Sequence, residues 1–255
     1  MKGIIRMTQT MIAERLASCG IPSDACLAEK LLQYHELLLE WNARMDLTAI
    51  LDEDEMLDRH YIDSLIPLSF PSPLNQATSV IDVGTGAGFP GIPLALALPD
   101  VQFTLLDARQ KRLDFLHAVQ DALNIRNVNL LHARAEDAAS RPDLRAQFDC
   151  AIARAVAPLN VLSEYLLPFV RIGGYALCWK GPSYLSELDD ARKAVHLLGG
   201  HFDTAVPCPI PGRDWQHVLV TISKTTATAR RYPRKAGMPS KQPLGSTPLA
   251  TGKGT

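Results

Sequence analysis

The clearest sign of chemistry in the chain is a glycine-rich run, Asp82-Val83-Gly84-Thr85-Gly86-Ala87-Gly88-Phe89-Pro90-Gly91. It follows an apolar segment typical of a buried strand and precedes a segment with helical spacing. Glycine lets the backbone turn sharply and approach a ligand closely. In this strand–loop–helix setting, the run predicts a loop that binds a nucleotide-like cofactor, in preference to a plain glycine-rich turn.

The spacing of the glycines fits two cofactors. Gly84-x-Gly86-x-Gly88 suits loops that pack against S-adenosylmethionine, whereas Gly86-x-Gly88-x-x-Gly91 matches the dinucleotide fingerprint. Spacing alone does not decide between them. Asp82, before the first glycine, favours S-adenosylmethionine because a carboxylate there can face the cationic end of that cofactor. Gly91 also comes late, after Phe89-Pro90, rather than in the tight first turn.

Polar residues follow the next three predicted strands, at the edge of a parallel sheet where ligands bind. Asp107 ends the second strand, 25 residues after Asp82, and its carboxylate can accept hydrogen bonds from both hydroxyls of a ribose. That contact would suit NAD as well as S-adenosylmethionine. Ala135-Glu136 follows the third strand, where an amide and an acid could read the edge of an adenine. Arg154 follows the fourth strand, where it could grip a carboxylate of the cofactor or the substrate.

Short apolar runs alternate with helical patterns from Ser79 onward. Repeated strand–helix units predict a doubly wound α/β fold, with parallel strands, right-handed crossovers and helices on both faces of the sheet. The last two strands have no helix between them and should form an antiparallel hairpin at the edge. The predicted strands are 79–83, 101–106, 128–132, 148–153, 175–179, 201–206 and 217–222, and the predicted helices are 91–98, 109–123, 159–169 and 184–198.

The flanking segments differ in composition from this α/β pattern. The first 70 residues look helical, since leucines recur near helical spacing and no glycine lies between Ile21 and Ser79. Prolines between positions 67 and 73 mark a boundary, and after Ser223 the chain is polar, basic and rich in Pro, Gly, Ser and Thr. We therefore predict a helical region at 1–76, a cofactor-binding domain at 77–224, a basic C-terminal segment at 225–244 and a disordered tail at 245–255.

The net charge is −1, but the basic residues are concentrated at one end. From Trp215 to Thr255 there are seven Lys and Arg residues and no Asp or Glu, so the part before Trp215 carries a net charge of −8. Such a cluster favours contact with the phosphate backbone of a nucleic acid. On charge alone, a solvated tail explains the cluster equally well.

Composition also argues against several classes of protein. Charged residues or helix breakers interrupt every long apolar stretch, and Arg6, Glu14 and Arg15 make the start a poor signal peptide. The five cysteines are odd in number and lack C-x-x-C spacing, and the seven histidines show no metal-ligand pattern. We therefore expect reduced thiols, no metal site, no membrane contact and a cytoplasmic protein that is a monomer.

A set of further motifs accompanies the glycine loop. These motifs are Asp46 to Ile50, His60 to Leu65, Asp82 to Pro93, Leu106-Asp107 with Lys111-Arg112 and Phe115-Leu116, Ala133 to Glu136, Ala153 to Ala157, Trp179 to Gly181, Arg231 to Gly237, and Pro239 with Lys241 to Leu244. Together they resemble the RsmG (GidB) family of 16S ribosomal RNA guanine-N7 methyltransferases, from about Leu31 to Leu244. One departure is Asp46, where the family pattern has Asn before Leu-Thr.

The resemblance implies a Rossmann-like class I methyltransferase sheet with an N-terminal helical extension, and S-adenosylmethionine as the cofactor. The implied substrate is N7 of guanine 527 in 16S rRNA, whether naked or within the small ribosomal subunit or an assembly intermediate, in the bacterial cytoplasm. The implied cofactor site consists of Gly84, Phe89, Ala135, Glu136 and Arg154, with Gly86, Gly88 and Asp107 in support.

The chemistry of guanine N7 also bears on the choice of residues. N7 carries a free lone pair and can attack a methyl sulfonium without a general base, so the rate should come from placement of the reacting atoms. We expect His60 and Asp63 either to brace the N-terminal helices against the site or to form only a structural hydrogen bond. The expected substrate contacts are Arg154 and Lys180 near the cleft, and Arg231, Arg234 and Lys235 on phosphates.

Three rival functions stay open on the residues alone. An NAD-linked oxidoreductase would use Gly86 to Gly91, but the chain lacks an evident proton-transfer pair. A methyltransferase of a small molecule or a protein would not need the basic C-terminal segment. A non-enzymatic RNA-binding or ribosome-assembly factor would retain only a vestigial pocket.

Overall fold

The computed structural model describes residues 6–246 and is built around a seven-stranded sheet. The strands are β1 (Ser79–Val83), β2 (Gln102–Asp107), β3 (Val128–His132), β4 (Phe148–Arg154), β5 (Val170–Lys180), β6 (Gly200–Pro207) and β7 (Val218–Lys224). Their order in the sheet is β3-β2-β1-β4-β5-β7-β6. β1 to β5 are parallel, and β7 is antiparallel to both of its neighbours.

This topology confirms the predicted doubly wound α/β fold. The strand order runs outward from β1 to β3 on one side and continues from β4 on the other, so it reverses between β1 and β4. Open parallel sheets bind ligands at such a point, beyond the carboxyl ends of the strands. The last two strands form the expected antiparallel hairpin, with β6 as the outermost strand.

Helices cover both faces of the sheet. They are α1 (Gln9–Ser18), α2 (Ala25–Asn42), α3 (Glu53–Met56), α4 (Asp63–Leu65), α5 (Gly91–Ala97), α6 (Gln110–Ala122), α7 (Ala135–Ala138), α8 (Leu159–Leu166), α9 (Tyr184–Leu197) and α10 (Met238–Lys241). A π-helical turn at Leu57–Ile62 joins α3 to α4. Successive side chains of a strand point to opposite faces. Accordingly, Val80 belongs to the core shared with α2 and α6, and Ile81 to the core shared with α8 and α9.

Most predicted bounds of strands and helices lie within two residues of the observed ones, but two are wrong by three residues or more. β5 begins at Val170 rather than Tyr175, because Gly173, with a φ of +82°, lets the strand continue through a register shift instead of opening it. Helix α8 ends at Leu166 rather than Phe169, since Pro168 has no amide hydrogen with which to extend it.

The N-terminal helices pack directly on one face of the sheet. Ile12 of α1 and Leu31 of α2 are fully buried and belong to the same apolar core as Val80 and Phe103 of the sheet. Burial of apolar area of this kind is the main force that holds such layers together. The division of the chain at residues 76 and 224 stays a prediction, and most of the predicted disordered tail, residues 247–255, lies outside the described residues.

Three kinds of feature are not found in residues 6–246. No described helix is both long and apolar enough to cross a membrane. No group of three or more His, Cys, Asp and Glu side chains in this part of the chain could hold a metal ion. All five cysteines are free thiols, and burial raises the pKa of Cys150, Cys178 and Cys208 to about 12, so these three are not nucleophiles at neutral pH.

Candidate active site

Two cavities open at the carboxyl ends of the parallel strands. The first, the glycine-loop cavity, has a volume of about 200 Å³ and is lined by Gly84, Asp107, Ala135, Glu136, Tyr165, Gly237 and Ser240, among others. The second, the polar cavity, has a volume of about 360 Å³ and is lined by His60, Asp63, Arg154, Trp179, Lys180 and His217, among others. Four of the predicted cofactor residues thus meet in the first cavity, whereas Arg154 and Lys180 lie in the second.

The glycine-loop cavity begins where β1 ends. Gly84 turns the chain with a φ of +76°, and its N–H donates to the carbonyl of Leu106 on β2 over 2.8 Å. A Cβ atom at Gly84 would stand 3.0 Å from Cγ2 of Val156, across the mouth of the cavity. Glycine is needed here both for the left-handed turn and for room above the backbone.

Asp107 ties the glycine loop to β2 and α6. Its Oδ2 accepts hydrogen bonds from the N–H of Gly86 (3.0 Å) and from Nη1 of Arg112 (3.1 Å), and its Oδ1 accepts one from the N–H of Arg109 (2.8 Å). The residue is buried, yet it lines the cavity. A carboxylate offers about four acceptor positions, so one on Oδ1 remains for a ligand hydroxyl.

Asp82 lies buried beneath the same loop. Its Oδ2 accepts from the hydroxyl of Thr85 (2.6 Å) and the N–H of Gly91 (3.0 Å), whereas Oδ1 is buried with no hydrogen-bond partner within residues 6–246. Burial disfavours the charged carboxylate and raises its pKa to about 6. An orphaned anionic oxygen beneath the loop suits a cationic ligand better than the pyrophosphate of a dinucleotide.

The other predicted loop residues act through packing. Gly86 has a φ of +62°, and a Cβ at Gly88 would stand within 2.8 Å of the hydroxyl of Tyr34 and the side chain of Leu116. Phe89 is buried and stacks on His60 with 4.7 Å between the ring centroids. None of the three predicted residues lines the glycine-loop cavity; they hold the loop in its conformation.

A short helix that the sequence did not predict, α7, places Ala135 and Glu136 on the cavity wall. Glu136 is buried, and its Oε1 accepts a hydrogen bond from the N–H of Gly237 over 2.7 Å. This acid is therefore bound to the C-terminal segment at the same time as it faces the cavity.

The polar cavity is organised around a buried carboxylate. Asp63 accepts from Nη1 of Arg154 on Oδ2 (2.9 Å), and its Oδ1 lies 2.8 Å from Nδ1 of His217. Nη1 of Arg154 also donates to the carbonyl of Arg59 (2.8 Å). Burial alone would raise the pKa of Asp63, but the His217 hydrogen bond and the charge of Arg154 hold it below the ordinary value. One ionised carboxylate thus joins α4, β4 and the start of β7.

His60 connects this cavity to the N-terminal region. Its Nε2 lies 2.8 Å from the hydroxyl of Thr48, in a loop that Asn42 holds by accepting from the N–H groups of Leu47 (2.8 Å) and Thr48 (2.9 Å). Burial and the nearby Arg154 lower the pKa of His60 to about 4, so its imidazole is neutral at pH 7. His60 and Asp63 were predicted either to brace the N-terminal helices against the site or to form only a structural hydrogen bond. Their contacts fit both roles, so the choice between the two stays a prediction.

Lys180 and Trp179 end β5 at the rim of the polar cavity. Nζ of Lys180 lies 2.8 Å from Oε2 of Glu187 and donates to the carbonyl of Ala157 (3.3 Å), so its charge is already paired. Nε1 of Trp179 donates to the carbonyl of Asp63 over 2.7 Å. Trp179 thereby supplies an aromatic wall while it fixes α4.

A two-residue turn separates the cavities. Ala155 lines the polar cavity, and Val156 lines the glycine-loop cavity and lies over Gly84. Ala155 has a φ of +55°, a conformation that costs a residue with a side chain roughly 1 kcal/mol or more. Strained backbone of this kind clusters at functional sites, and here it lies between the two cavities.

The three predicted phosphate contacts lie in different surroundings. Arg231 and Lys235 are exposed and form no ion pair within residues 6–246. The guanidinium of Arg234 instead lies on the fully buried carboxylate of Glu164, with Nη2 2.6 Å from Oε2 and its own N–H 2.8 Å from Oε1. The charge of Arg234 is therefore paired with a buried carboxylate, unlike those of Arg231 and Lys235, and its predicted contact with phosphate stays a prediction.

Sequence reasoning missed His217, Asn42 and Tyr165. His217 had a detectable signal, because β7 was expected to be antiparallel and its first residues must then lie at the carboxyl edge of the sheet. The pairing of Lys180 with Val218 places them there. Asn42 and Tyr165 had no such signal, since their partners are reached only in the folded chain.

The chain matches known proteins both through a family model and through individual sequences. A family model described as "GidB: rRNA small subunit methyltransferase G" matches residues 27–212. Proteins named "Ribosomal RNA small subunit methyltransferase G" are among the similar sequences. That of Alkaliphilus oremlandii is 46% identical over 215 residues, covering 84% of this chain and 90% of its own. That of Alkaliphilus metalliredigens is 44% identical, covering 88% and 94%, and that of Clostridium perfringens is 43% identical, covering 89% and 95%.

Proposed function

Because the chain belongs to the rRNA small subunit methyltransferase G (GidB) family, we propose that it methylates N7 of guanine 527 in 16S rRNA. The family alone makes it an S-adenosylmethionine-dependent methyltransferase of small-subunit rRNA. The choice of N7 and of position 527 rests on the resemblance of the motifs to this family. Methyl transfer to a base is supported by one observation, the two adjoining cavities at the reversal point of the sheet. One is suited to a nucleoside and the other to a base.

The glycine-loop cavity supplies the contacts for the methyl donor. When bound, S-adenosylmethionine supplies an electrophilic methyl group on a sulfonium cation. The free acceptor position on Asp107 suits a ribose hydroxyl, and Ala135-Glu136 suit the polar edge of an adenine. The orphaned Oδ1 of Asp82 lies beneath the loop that would carry the cation. These features favour S-adenosylmethionine over the nicotinamide cofactor.

The polar cavity supplies the contacts for the base. Trp179, His60 and His217 give it aromatic walls, which suit a base taken out of its stack. Asp63 fixes the orientation of the Arg154 guanidinium and of the His217 ring. The remaining N–H groups of Arg154 and Nε2 of His217 can then form hydrogen bonds to a purine held in one orientation.

No proton needs to leave the attacking nitrogen, because guanine N7 is unprotonated at neutral pH. The pair of His217 and Asp63 is therefore assigned to positioning rather than to general base catalysis. Asp63 is shared with Arg154, which fits a role in orientation. Rate enhancement then comes from placing the base beside the donor with its freedom already restricted.

The proposal is tested by mapping the methylated nucleotide. Small ribosomal subunits and naked 16S rRNA from cells that lack the gene are incubated with the protein and methyl-labelled S-adenosylmethionine. We expect one labelled 7-methylguanine at position 527, and comparison of the two substrates identifies the form that is recognised. Label on another nucleotide or another ring atom contradicts the proposal, as does the absence of label in both substrates.

A further inference from the structure

The C-terminal residues 228–246 form a strap that is seated on the fold. Tyr232 is 7% exposed and belongs to the core of α8 and α9. Arg145 donates to the carbonyls of Thr228 (2.8 Å), Ala229 (3.2 Å) and Tyr232 (2.9 Å). Together with the buried pair of Arg234 and Glu164, these contacts hold the first half of the strap firmly in place.

The second half of the strap forms one wall of the glycine-loop cavity. Gly237 and Ser240 line this cavity beside Glu136 and Tyr165. Two hydrogen bonds join these pairs: the N–H of Gly237 donates to Oε1 of Glu136 (2.7 Å), and the hydroxyls of Ser240 and Tyr165 lie 2.8 Å apart. A ligand in the cavity would thus contact residues whose positions depend on the strap.

The same strap carries free positive charge on its outer side. Arg230, Arg231 and Lys235 are exposed, and none of them forms an ion pair within the described part of the chain. Arg231 lies over the ring of Tyr232, with its Cζ 5.2 Å from the ring centroid. Exposed cations on an ordered element are suited to phosphate groups.

One element therefore faces two ligands. We propose that Gly237 and Ser240 of the strap are part of the cofactor site and that the strap couples occupancy of this site to rRNA binding. Ligand in the cavity favours the seated strap, and the seated strap holds Arg231 and Lys235 in the arrangement that binds phosphate. The coupling is reciprocal, so rRNA on the strap strengthens cofactor binding by the same factor. This inference rests on the proposed function for the identity of the two ligands.

Hydrogen–deuterium exchange tests the first half of this proposal. S-adenosylhomocysteine, whose binding is verified by calorimetry, should slow exchange of the amides in residues 232–241 by about tenfold. Glu164→Gln, which loosens the strap without touching the cavity, should weaken binding of S-adenosylhomocysteine by about tenfold. If Glu164→Gln does not fold, Tyr165→Phe, which removes only the hydroxyl bonded to Ser240, should weaken binding threefold to fivefold.

Measurement of the dissociation constant with and without RNA tests the second half. The RNA is a 16S rRNA fragment that contains guanine 527. In the wild type the fragment should tighten binding of S-adenosylhomocysteine at least threefold. In the double variant Arg231→Glu/Lys235→Glu, whose changed side chains lie on the surface, binding without RNA should stay within twofold of wild type and the tightening should disappear.

The results separate this proposal from the proposed function. Binding of S-adenosylhomocysteine without any change in exchange at 232–241 overturns the strap proposal alone, as does tightening by RNA that persists in the double variant. A complete lack of binding overturns both. Methylation of a nucleotide other than guanine 527, with coupling intact, overturns only the choice of target.

Discussion

The two cavities of this protein are built in opposite ways. Most of the glycine-loop cavity comes from residues that directly follow β1, β2 and β3, so its geometry depends on local turns such as that of Gly84. The polar cavity joins segments that are distant in the chain, since Asp63 contacts Arg154 and His217, 91 and 154 residues away. The walls of the first cavity that the strands supply therefore form wherever the sheet forms, whereas its strap wall and the whole of the polar cavity depend on a few long-range contacts.

The largest effect is expected when a side chain fills the glycine-loop cavity. Gly84→Leu places a side chain against Val156 in the cavity, and we expect at least a hundredfold loss of affinity for S-adenosylhomocysteine by calorimetry. Gly173→Leu is the matched control, because Gly173 also has a positive φ (+82°) but lies far from both cavities. Both variants should lose about 1–2 kcal/mol of stability to backbone strain. Equal loss of affinity in both variants would contradict the assignment of the cavity.

The next largest effect is expected when the ion pair that holds the polar cavity together is broken. Asp63→Asn leaves the guanidinium of Arg154 without its charged partner, and we expect a loss of about 3 kcal/mol in the free energy of unfolding. Methylation of rRNA should fall at least tenfold while the affinity for S-adenosylhomocysteine stays within threefold of wild type. Asp143→Asn breaks an ion pair with Arg141 that is exposed on both sides, and it should leave the stability nearly unchanged, because water and salt screen such a pair. Loss of cofactor affinity in Asp63→Asn would show that the cavities are not separate.

The two cavities should also differ in their response to pH. Asp82 has a raised pKa of about 6, so its contribution to stability is greatest near pH 4 and declines as the pH rises through 6. Asp63 has a lowered pKa, so its contribution is lost as the pH falls below the ordinary range of a carboxyl group. Urea unfolding of Asp82→Asn from pH 4 to 8 should show a stability difference from wild type that changes by about 1–3 kcal/mol. A pH-independent difference would mean that Asp82 is not a buried, uncompensated charge.

The smallest expected effect is at His217, one of the three site residues that sequence reasoning missed. His217→Ala removes one wall of the polar cavity and one hydrogen bond to Asp63. We expect rRNA methylation to fall threefold to tenfold at low RNA concentration, with cofactor affinity unchanged. The control is His201→Ala, an exposed histidine of β6, which should remain within twofold of wild type. A His217→Ala variant as active as this control would remove His217 from the site.

The same contrast explains which elements and site residues could be predicted from the sequence. β1 and β3 were predicted with their observed bounds, because a short apolar run beside a turn signal is local information. Asp107 and Glu136 were identified for the same reason, since Asp107 ends β2 and Glu136 lies shortly after the end of β3. α7 was missed because a helix of four residues leaves no periodic pattern.

The polar cavity and the strap were largely beyond sequence reasoning. Arg231, Arg234 and Lys235 look alike as three cations in one basic segment, yet only Arg234 meets the buried Glu164, 70 residues away. Burial and pairing of charges depend on the tertiary fold, which the spacing of residues along the chain does not reveal. Arg154 was likewise placed correctly at the end of its strand, where it lines the polar cavity, and its predicted contacts with the cofactor and with the substrate stay predictions.

The most direct test of the account is a crystal structure of the protein with S-adenosylhomocysteine and a guanine-containing RNA fragment. We expect the adenosine to lie in the glycine-loop cavity against Asp107 and Glu136, and the guanine to enter the polar cavity beside Arg154 and His217. Adenosine in the polar cavity, or a guanine bound outside both cavities, would contradict it.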